Sequence, residues 1–75
     1  MANPSPHEVN RRPETLIRLP EVMNRTGMSR SSIYLAMRNG TFPRPVKLIP
    51  GGTAVAWRES DIQAWIDERT AGDAA

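Results

Sequence analysis

Residues 27–43 read GMSRSSIYLAMRNGTFP and predict a short helix between two glycines. Ser29 is a good N-cap, and Gly40 suits the position after the last turn because glycine adopts a positive φ without strain. At about 100° per residue, one side of this helix is apolar and comprises Ile33, Ala36 and Met37. The other side carries Ser31, Tyr34, Leu35 and Arg38, with Arg30 at its border. The helix therefore hides one face and presents a largely polar one.

A second helical pattern precedes this stretch, in LIRLPEVMNRTG at residues 16–27. Leu19, Val22 and Met23 stand at i, i+3 and i+4, which is the spacing of one helix face. Gly27 allows a sharp turn after this helix. Two short helices joined by a tight turn that contains glycine are typical of a helix-turn-helix.

The following segment, TFPRPVKLIPGGTAVAW at residues 41–57, changes to a period of two. Val46 and Leu48 flank a lysine, whereas Val55 and Trp57 alternate with alanines. The proline and two glycines between these runs supply a turn, so the segment predicts a two-stranded β-hairpin.

The last pattern is ESDIQAWIDERT, residues 59–70, which predicts a third helix. Its buried stripe comprises Ile62, Trp65 and Ile66. Ser60 and Gln63 have the spacing of a capping box, in which the serine begins the helix.

The predicted fold class is mainly α: a winged helix-turn-helix with three helices and a two-stranded β-hairpin wing. We expect a disordered N-terminal arm over residues 1–15, because it holds three prolines and few apolar residues. The domain covers residues 16–71, and a flexible tail covers residues 72–75. The predicted core comprises Val22, Met28, Ile33, Phe42, Val46, Trp57, Ile62, Trp65 and Ile66.

Composition excludes several classes of function. The chain has 75 residues and no cysteine, so neither a disulfide framework nor a thiolate metal site can form. Its single histidine, His7, lies among prolines and asparagines. We therefore expect no metal, no cofactor and no enzymatic activity. The sequence has no apolar run of membrane length and no signal-peptide core, so we expect no membrane association and a cytoplasmic, nucleoid-associated location.

Charge is distributed unevenly along the chain. Residues 22–58 contain six basic residues and no Asp or Glu, a charge of +6. The remaining residues contain four basic and eight acidic ones, a charge of −4, and together these give the net +2. This segregation favours an electropositive face that a nucleic acid can bind.

Candidate DNA-binding residues come from two places. The recognition helix, about residues 30–39, would enter the major groove, because an α-helix fits that groove and these donors suit bases and phosphates. The wing, about residues 46–57, would contact the neighbouring backbone or minor groove. The predicted contact residues are Ser29, Arg30, Ser31, Tyr34, Arg38, Arg44, Lys47 and Thr53.

Some of these assignments have alternatives. Tyr34 either contacts DNA or leans on the wing. Leu35 contacts a thymine methyl, contacts a partner subunit, or shows that the assumed helix rotation is wrong. Arg44, between two prolines, either binds DNA or packs its stem against the domain. For Arg58 we favour an ion pair with Glu59 or Asp61 over a phosphate contact.

The chain resembles the AlpA family of phage and prophage regulatory proteins over about residues 16–70. The resemblance is carried, in order, by GMSRSSIY, FPRPVKL and AVAWRESDIQAWI. It implies a small DNA-binding protein related to excisionases and to MerR-like winged-helix proteins, acting on mobile-element genes. Ser29, Arg30, Ser31 and Tyr34 match the start of the family's recognition helix. Two departures are Leu35 and Thr53, where family members often carry a basic residue.

Three functions compete. The first is a sequence-specific DNA-binding transcriptional regulator. The second is an excisionase-type architectural protein that bends DNA and acts with an integrase. The third is a protein-interaction module that uses its basic face. The expected partner is double-stranded DNA, and integrase, RNA polymerase and further copies of the chain on DNA are the other candidates.

Overall fold

The computed structural model describes the backbone of residues 13–73 and the side chains of residues 13–71. It contains β1 (Leu16–Ile17), α1 (Leu19–Thr26), α2 (Arg30–Arg38), β2 (Val46–Lys47), β3 (Val55–Arg58) and α3 (Glu59–Asp73). The three predicted helices and the predicted hairpin are confirmed, and the fold is that of a small, mainly helical winged helix-turn-helix domain. Residues 1–12 of the predicted arm and residues 74–75 of the predicted tail lie outside the described residues.

The sheet has three antiparallel strands in the order β1-β3-β2, which corrects the prediction of two. Val46 pairs with Ala56 and Lys47 with Val55 in the hairpin. On the other edge of β3, Ile17 pairs with Trp57. A strand of two residues is too short to show an alternating pattern, so only the position of its partner reveals it.

Local sequence signals determine where α1 ends and where α2 begins and ends. Gly27 ends α1 with φ +74°, and its N–H donates to the carbonyl of Met23 at 2.8 Å. Ser29 then caps α2 by accepting a hydrogen bond from the N–H of Ser32. After α2, Gly40 adopts φ +78°, as its position in the sequence predicts.

The core forms where the three helices meet the sheet. Its buried apolar side chains are Ile17, Val22, Ile33, Phe42, Ala56, Trp57 and Ile62. Five of these belong to the predicted core, whereas the burial of Ile17 and Ala56 was not predicted. Three other predicted core residues, Met28, Trp65 and Ile66, are half-buried and pack against this cluster. Val46 is half-buried in β2.

Two indole N–H groups attach the segment between α2 and β2 to the core. Trp57 donates to the carbonyl of Pro43 at 3.0 Å, and Trp65 donates to the carbonyl of Thr41 at 3.1 Å. Phe42, between those carbonyls, meets Trp65 edge to face with 5.2 Å between ring centroids. These contacts fix the start of the wing relative to α2, because Thr41 also donates its N–H to the carbonyl of Ala36 at 2.9 Å.

The N-terminus of α3 is capped by a distant residue, so the capping-box prediction is wrong. Since α3 begins at Glu59, Ser60 lies inside its first turn. The N–H and hydroxyl of Ser60 donate to the carboxylate of Glu14, at 3.3 and 2.7 Å. The N–H of Glu59 donates to the carbonyl of Thr15 at 2.8 Å. The end of the predicted arm, at Glu14 and Thr15, is therefore attached to the domain.

Candidate nucleic-acid interface

The outer face of α2 is exposed over its length, as predicted. Arg30, Ser31 and Arg38 all lie in solvent, and Tyr34 is 43 % exposed. Leu35 is 53 % exposed, so it belongs to the same face and the assumed helix rotation is right. The opposite face buries Ile33 completely. The helix can therefore offer guanidinium, hydroxyl and phenol groups to a ligand without disturbing the core.

The N-terminus of α2 leaves two backbone donors for a ligand. Ser29 Oγ accepts from the N–H of Ser32 at 3.1 Å, and the N–H of Ile33 donates to the carbonyl of Ser29 at 3.0 Å. The N–H groups of Arg30 and Ser31 precede these bonds and belong to the positive end of the helix dipole. The Oγ of Ser29 already accepts the capping hydrogen bond, so its predicted contact with DNA would have to form alongside the cap.

The wing supplies the remaining predicted residues. Arg44, Lys47 and Thr53 are all exposed. The hairpin closes with hydrogen bonds from Leu48 N–H to Ala54 O at 3.0 Å and from Gly52 N–H to Ile49 O at 2.9 Å.

The positive charge of the middle segment is smaller than its composition suggests. Arg25 forms an ion pair with Glu59, with 2.6 Å between Nη1 and Oε2, and donates a second hydrogen bond to Gln63 Oε1. The six cations of residues 22–58 therefore leave five that are not paired in this way within residues 13–73. The predicted ion pair of Arg58 is wrong, because Glu59 pairs with Arg25 and Asp61 forms no ion pair within that range.

One carboxylate of the domain has a perturbed pKa. The hydroxyl of Ser60, followed by its backbone N–H, lowers the pKa of Glu14 below its ordinary value, and the nearby charge of Arg58 contributes in the same direction. Arg58 thus acts electrostatically on Glu14, although it forms no ion pair within residues 13–73.

The part of the chain that the structure describes contains no group of three or more His, Cys, Asp or Glu that could hold a metal ion. Across residues 13–73, the longest helices also lack the length and apolar character needed to cross a bilayer.

Comparison with known proteins places this arrangement in a family. Residues 15–70 match the family of the prophage CP4-57 regulatory protein (AlpA). The chain belongs to the AlpA family. This match contains α2, the wing and all eight predicted contact residues.

Two relatives show how far the similarity extends. The DNA-binding transcriptional activator AlpA of Escherichia coli K12 is 35 % identical over 66 residues, which cover 80 % of this chain and 91 % of the relative. The uncharacterized protein ORF88 of Enterobacteria phage P4 is 49 % identical over 59 residues, covering 79 % of this chain. The match spans 65 % of that phage protein's length.

The AlpA-family domain has one surface feature that the sequence analysis did not select. Ile49 is 62 % exposed at the end of the wing, and Leu48 beside it is 38 % exposed. The alternating sequence pattern predicts a strand residue at Leu48, although β2 ends at Lys47. The signal available was a pair of large apolar residues, Leu48 and Ile49, directly before the turn residues Pro50, Gly51 and Gly52.

Proposed function

We propose that this protein is a DNA-binding transcriptional regulator of the AlpA type that places α2 in the major groove. One observation carries the proposal: the exposed face of α2 holds two arginines, a serine and a tyrosine, in a segment without a single carboxylate from Val22 to Arg58. Membership of a family named for a prophage regulatory protein supports it. So does the name of the 35 % identical relative, a DNA-binding transcriptional activator.

Base recognition would come from the first half of α2. The N-terminal part of the second helix enters the major groove in helix-turn-helix proteins, and Arg30, Ser31 and Tyr34 lie there. A guanidinium can bond to both acceptors on the edge of a guanine, whereas hydroxyl groups bond to several bases. Arg30 is therefore our candidate for the main specificity contact.

Phosphate contacts would surround this helix. Arg38 lies at the C-terminal end of α2, while Arg44 and Lys47 lie before and within β2. Together with the backbone N–H groups at the start of α2 and the hydroxyl of Thr53, these groups would fix the register on the duplex. Such contacts add affinity for any sequence.

The experiment has two steps. First, duplexes that bind the full-length protein are selected from a random-sequence pool, and their affinity is measured by fluorescence anisotropy across a salt series. Second, Arg38→Gln and Lys47→Gln are compared with Arg18→Gln, which removes an equal charge from the exposed N-cap of α1. Each phosphate contact that is lost should reduce the slope of log affinity against log salt by about 0.9.

We expect the two variants on the proposed interface to reduce the slope and the Arg18 variant to leave it unchanged. Slopes equal to the wild-type slope for both Arg38→Gln and Lys47→Gln would move the interface away from α2 and the wing. A folded wild-type protein that shows no salt-dependent affinity for any selected duplex would contradict the proposal. That result would favour a protein-interaction module instead.

A further inference from the structure

We propose that the wing tip, defined as Leu48, Ile49 and Pro50, is an apolar wedge that enters the minor groove and partly unstacks one base step. This inference rests on the proposed function, since it assumes that α2 occupies the adjacent major groove. It adds a contact made without any polar side chain, and it predicts that the bound duplex is bent.

Exposure sets the wing tip apart. Ile49, at 62 %, is the most exposed of the large hydrophobic side chains in residues 13–73, and Leu48 is 38 % exposed. Pro50 is exposed as well. Single apolar residues on a surface need no explanation. Three in succession, at the end of a hairpin that already belongs to the proposed interface, form a patch with a definite position.

The wing tip is also held in one shape. The N–H of Gly52 donates to the carbonyl of Ile49 at 2.9 Å, and Gly51 has φ +79°, as in a type II turn with proline at its second position. Pro50 fixes its own φ, and the bond from Leu48 N–H to Ala54 O closes the loop behind it. A preordered loop loses little conformational freedom on binding, so the entropic cost of inserting the wing tip into the groove is small.

Charge around the wing tip indicates the partner. Lys47 directly precedes it, and the chain has no carboxylate from Val22 to Arg58. The wing tip is thus an apolar patch next to an exposed lysine, within a segment that contains no carboxylate. Duplex DNA has the complementary arrangement, because its phosphates lie outside and its apolar base faces lie stacked inside. Proteins that bend DNA through the minor groove use side chains such as isoleucine, leucine and proline as wedges.

Insertion has a consequence for sequence preference. Separating two base pairs costs least at flexible pyrimidine–purine steps, so the wing tip would favour such a step although it makes no hydrogen bond to it. The duplex would bend toward the major groove, the side on which α2 is proposed to bind.

The test uses the full-length protein and a duplex from the random-pool selection, with a donor and an acceptor dye at its two ends. In a second series, 2-aminopurine replaces one adenine at a time, since its fluorescence rises when it is unstacked. The variant is Ile49→Ala. The matched control is Leu16→Ala, because Leu16 is 46 % exposed and lies in β1, at the sheet edge opposite β2.

We expect wild-type protein to raise energy transfer between the duplex ends and to raise 2-aminopurine fluorescence at one step. Ile49→Ala should lose most of both signals, bind up to about tenfold more weakly, and keep the wild-type salt slope because no charge is removed. Leu16→Ala should match the wild type. Restoring a large apolar side chain with Ile49→Leu should restore both signals.

Two results would overturn the wedge and leave the proposed function intact. One is a duplex that binds with the usual salt dependence but shows neither signal. The other is an Ile49→Ala protein that produces both signals at wild-type strength. If the wild-type protein binds no duplex at all, the proposed function fails and the wedge fails with it.

Discussion

The two sides of this small domain use charge in opposite ways. On the α1–α3 side, Arg25 binds Glu59 and Gln63, and Glu14 binds Ser60, so charged groups join segments 34 to 46 residues apart. On the α2 side, Arg30, Arg38 and Lys47 are exposed and form no ion pair within residues 13–73. The charges of the first side stabilise the fold, whereas those of the second are exposed to solvent.

The contrast shows that counting charges along a sequence does not locate a binding face. Arg25 and Arg30 both belong to the segment without carboxylates, yet of these two only Arg25 forms an ion pair within residues 13–73, because Glu59 reaches it from another part of the chain. Contacts between distant segments therefore decide which cations remain available to a ligand. Each prediction below tests one part of this division.

The largest effect should come from a fully buried residue of the core, Ile33. Ile33→Ala should lower the free energy of unfolding by about 2–5 kcal/mol, because Ile33 is fully buried and its truncation leaves a cavity. Leu35→Ala, two positions along the same helix and 53 % exposed, should change it by less than about 0.5 kcal/mol. Urea unfolding followed by circular dichroism measures both. Similar losses for the two variants would mean that α2 is rotated.

The next effect should appear in binding and not in stability. If Arg30 contacts a guanine, Arg30→Ala should weaken binding to the selected duplex by about 1–3 kcal/mol and relax the preference at one base pair. Its unfolding free energy should stay near the wild-type value, because the side chain is exposed. Fluorescence anisotropy on the selected duplex and on its single-base variants measures the affinity and the base preference. Urea unfolding measures the free energy of unfolding. A stability loss as large as the binding loss would remove the distinction between the two sides.

Arg25 should show the reverse pattern. Arg25→Ala should cost about 1 kcal/mol of stability, since its side chain is only 21 % exposed and makes two hydrogen bonds. The salt slope of DNA binding should not change. A double-mutant cycle with Glu59→Ala separates the interaction from the effect of each truncation. A coupling energy near zero would show that this ion pair does not join α1 to α3.

The features that could be predicted from the sequence are those with local causes. Ser29, Gly27 and Gly40 mark helix ends by their own chemistry, and the i, i+3, i+4 pattern placed Ile33 inside and Leu35 outside. The family resemblance was likewise carried by continuous motifs, and residues 15–70 match that family.

The features that escaped prediction depend on contacts between distant residues. β1 has only two residues and exists because β3 pairs with it. The cap of α3 comes from Glu14, 46 residues before Ser60. The sequence offers a local capping box at Ser60 and Gln63 instead, which is why the prediction was wrong. The exposed wing tip was missed for a different reason: Leu48 fits a strand pattern until the end of β2 is known.

The smallest effect should come from the carboxylate that caps α3. Hydrogen bonds from Ser60 lower the pKa of Glu14 from its ordinary 4.5, so the ionised form is favoured in the folded state. A group with a lowered folded pKa contributes its stability above the unfolded pKa and loses it as the pH falls through the folded value. The contribution should therefore be complete above about pH 4.5 and decline below it.

Comparing thermal unfolding of the wild type and Glu14→Gln tests this, because the glutamine keeps an acceptor but cannot carry the charge. The wild type should melt at the higher temperature at about pH 7, and the difference should shrink as the pH falls through the lowered pKa of Glu14 and the carboxylate takes up a proton. Ser60→Ala removes the hydroxyl that contributes most to the shift, so in that variant an NMR titration should find the pKa of Glu14 closer to 4.5. A melting difference that stays constant across this range would mean that the charge of Glu14 does not stabilise α3. The α1–α3 side would then be held by the Arg25 contacts and by packing.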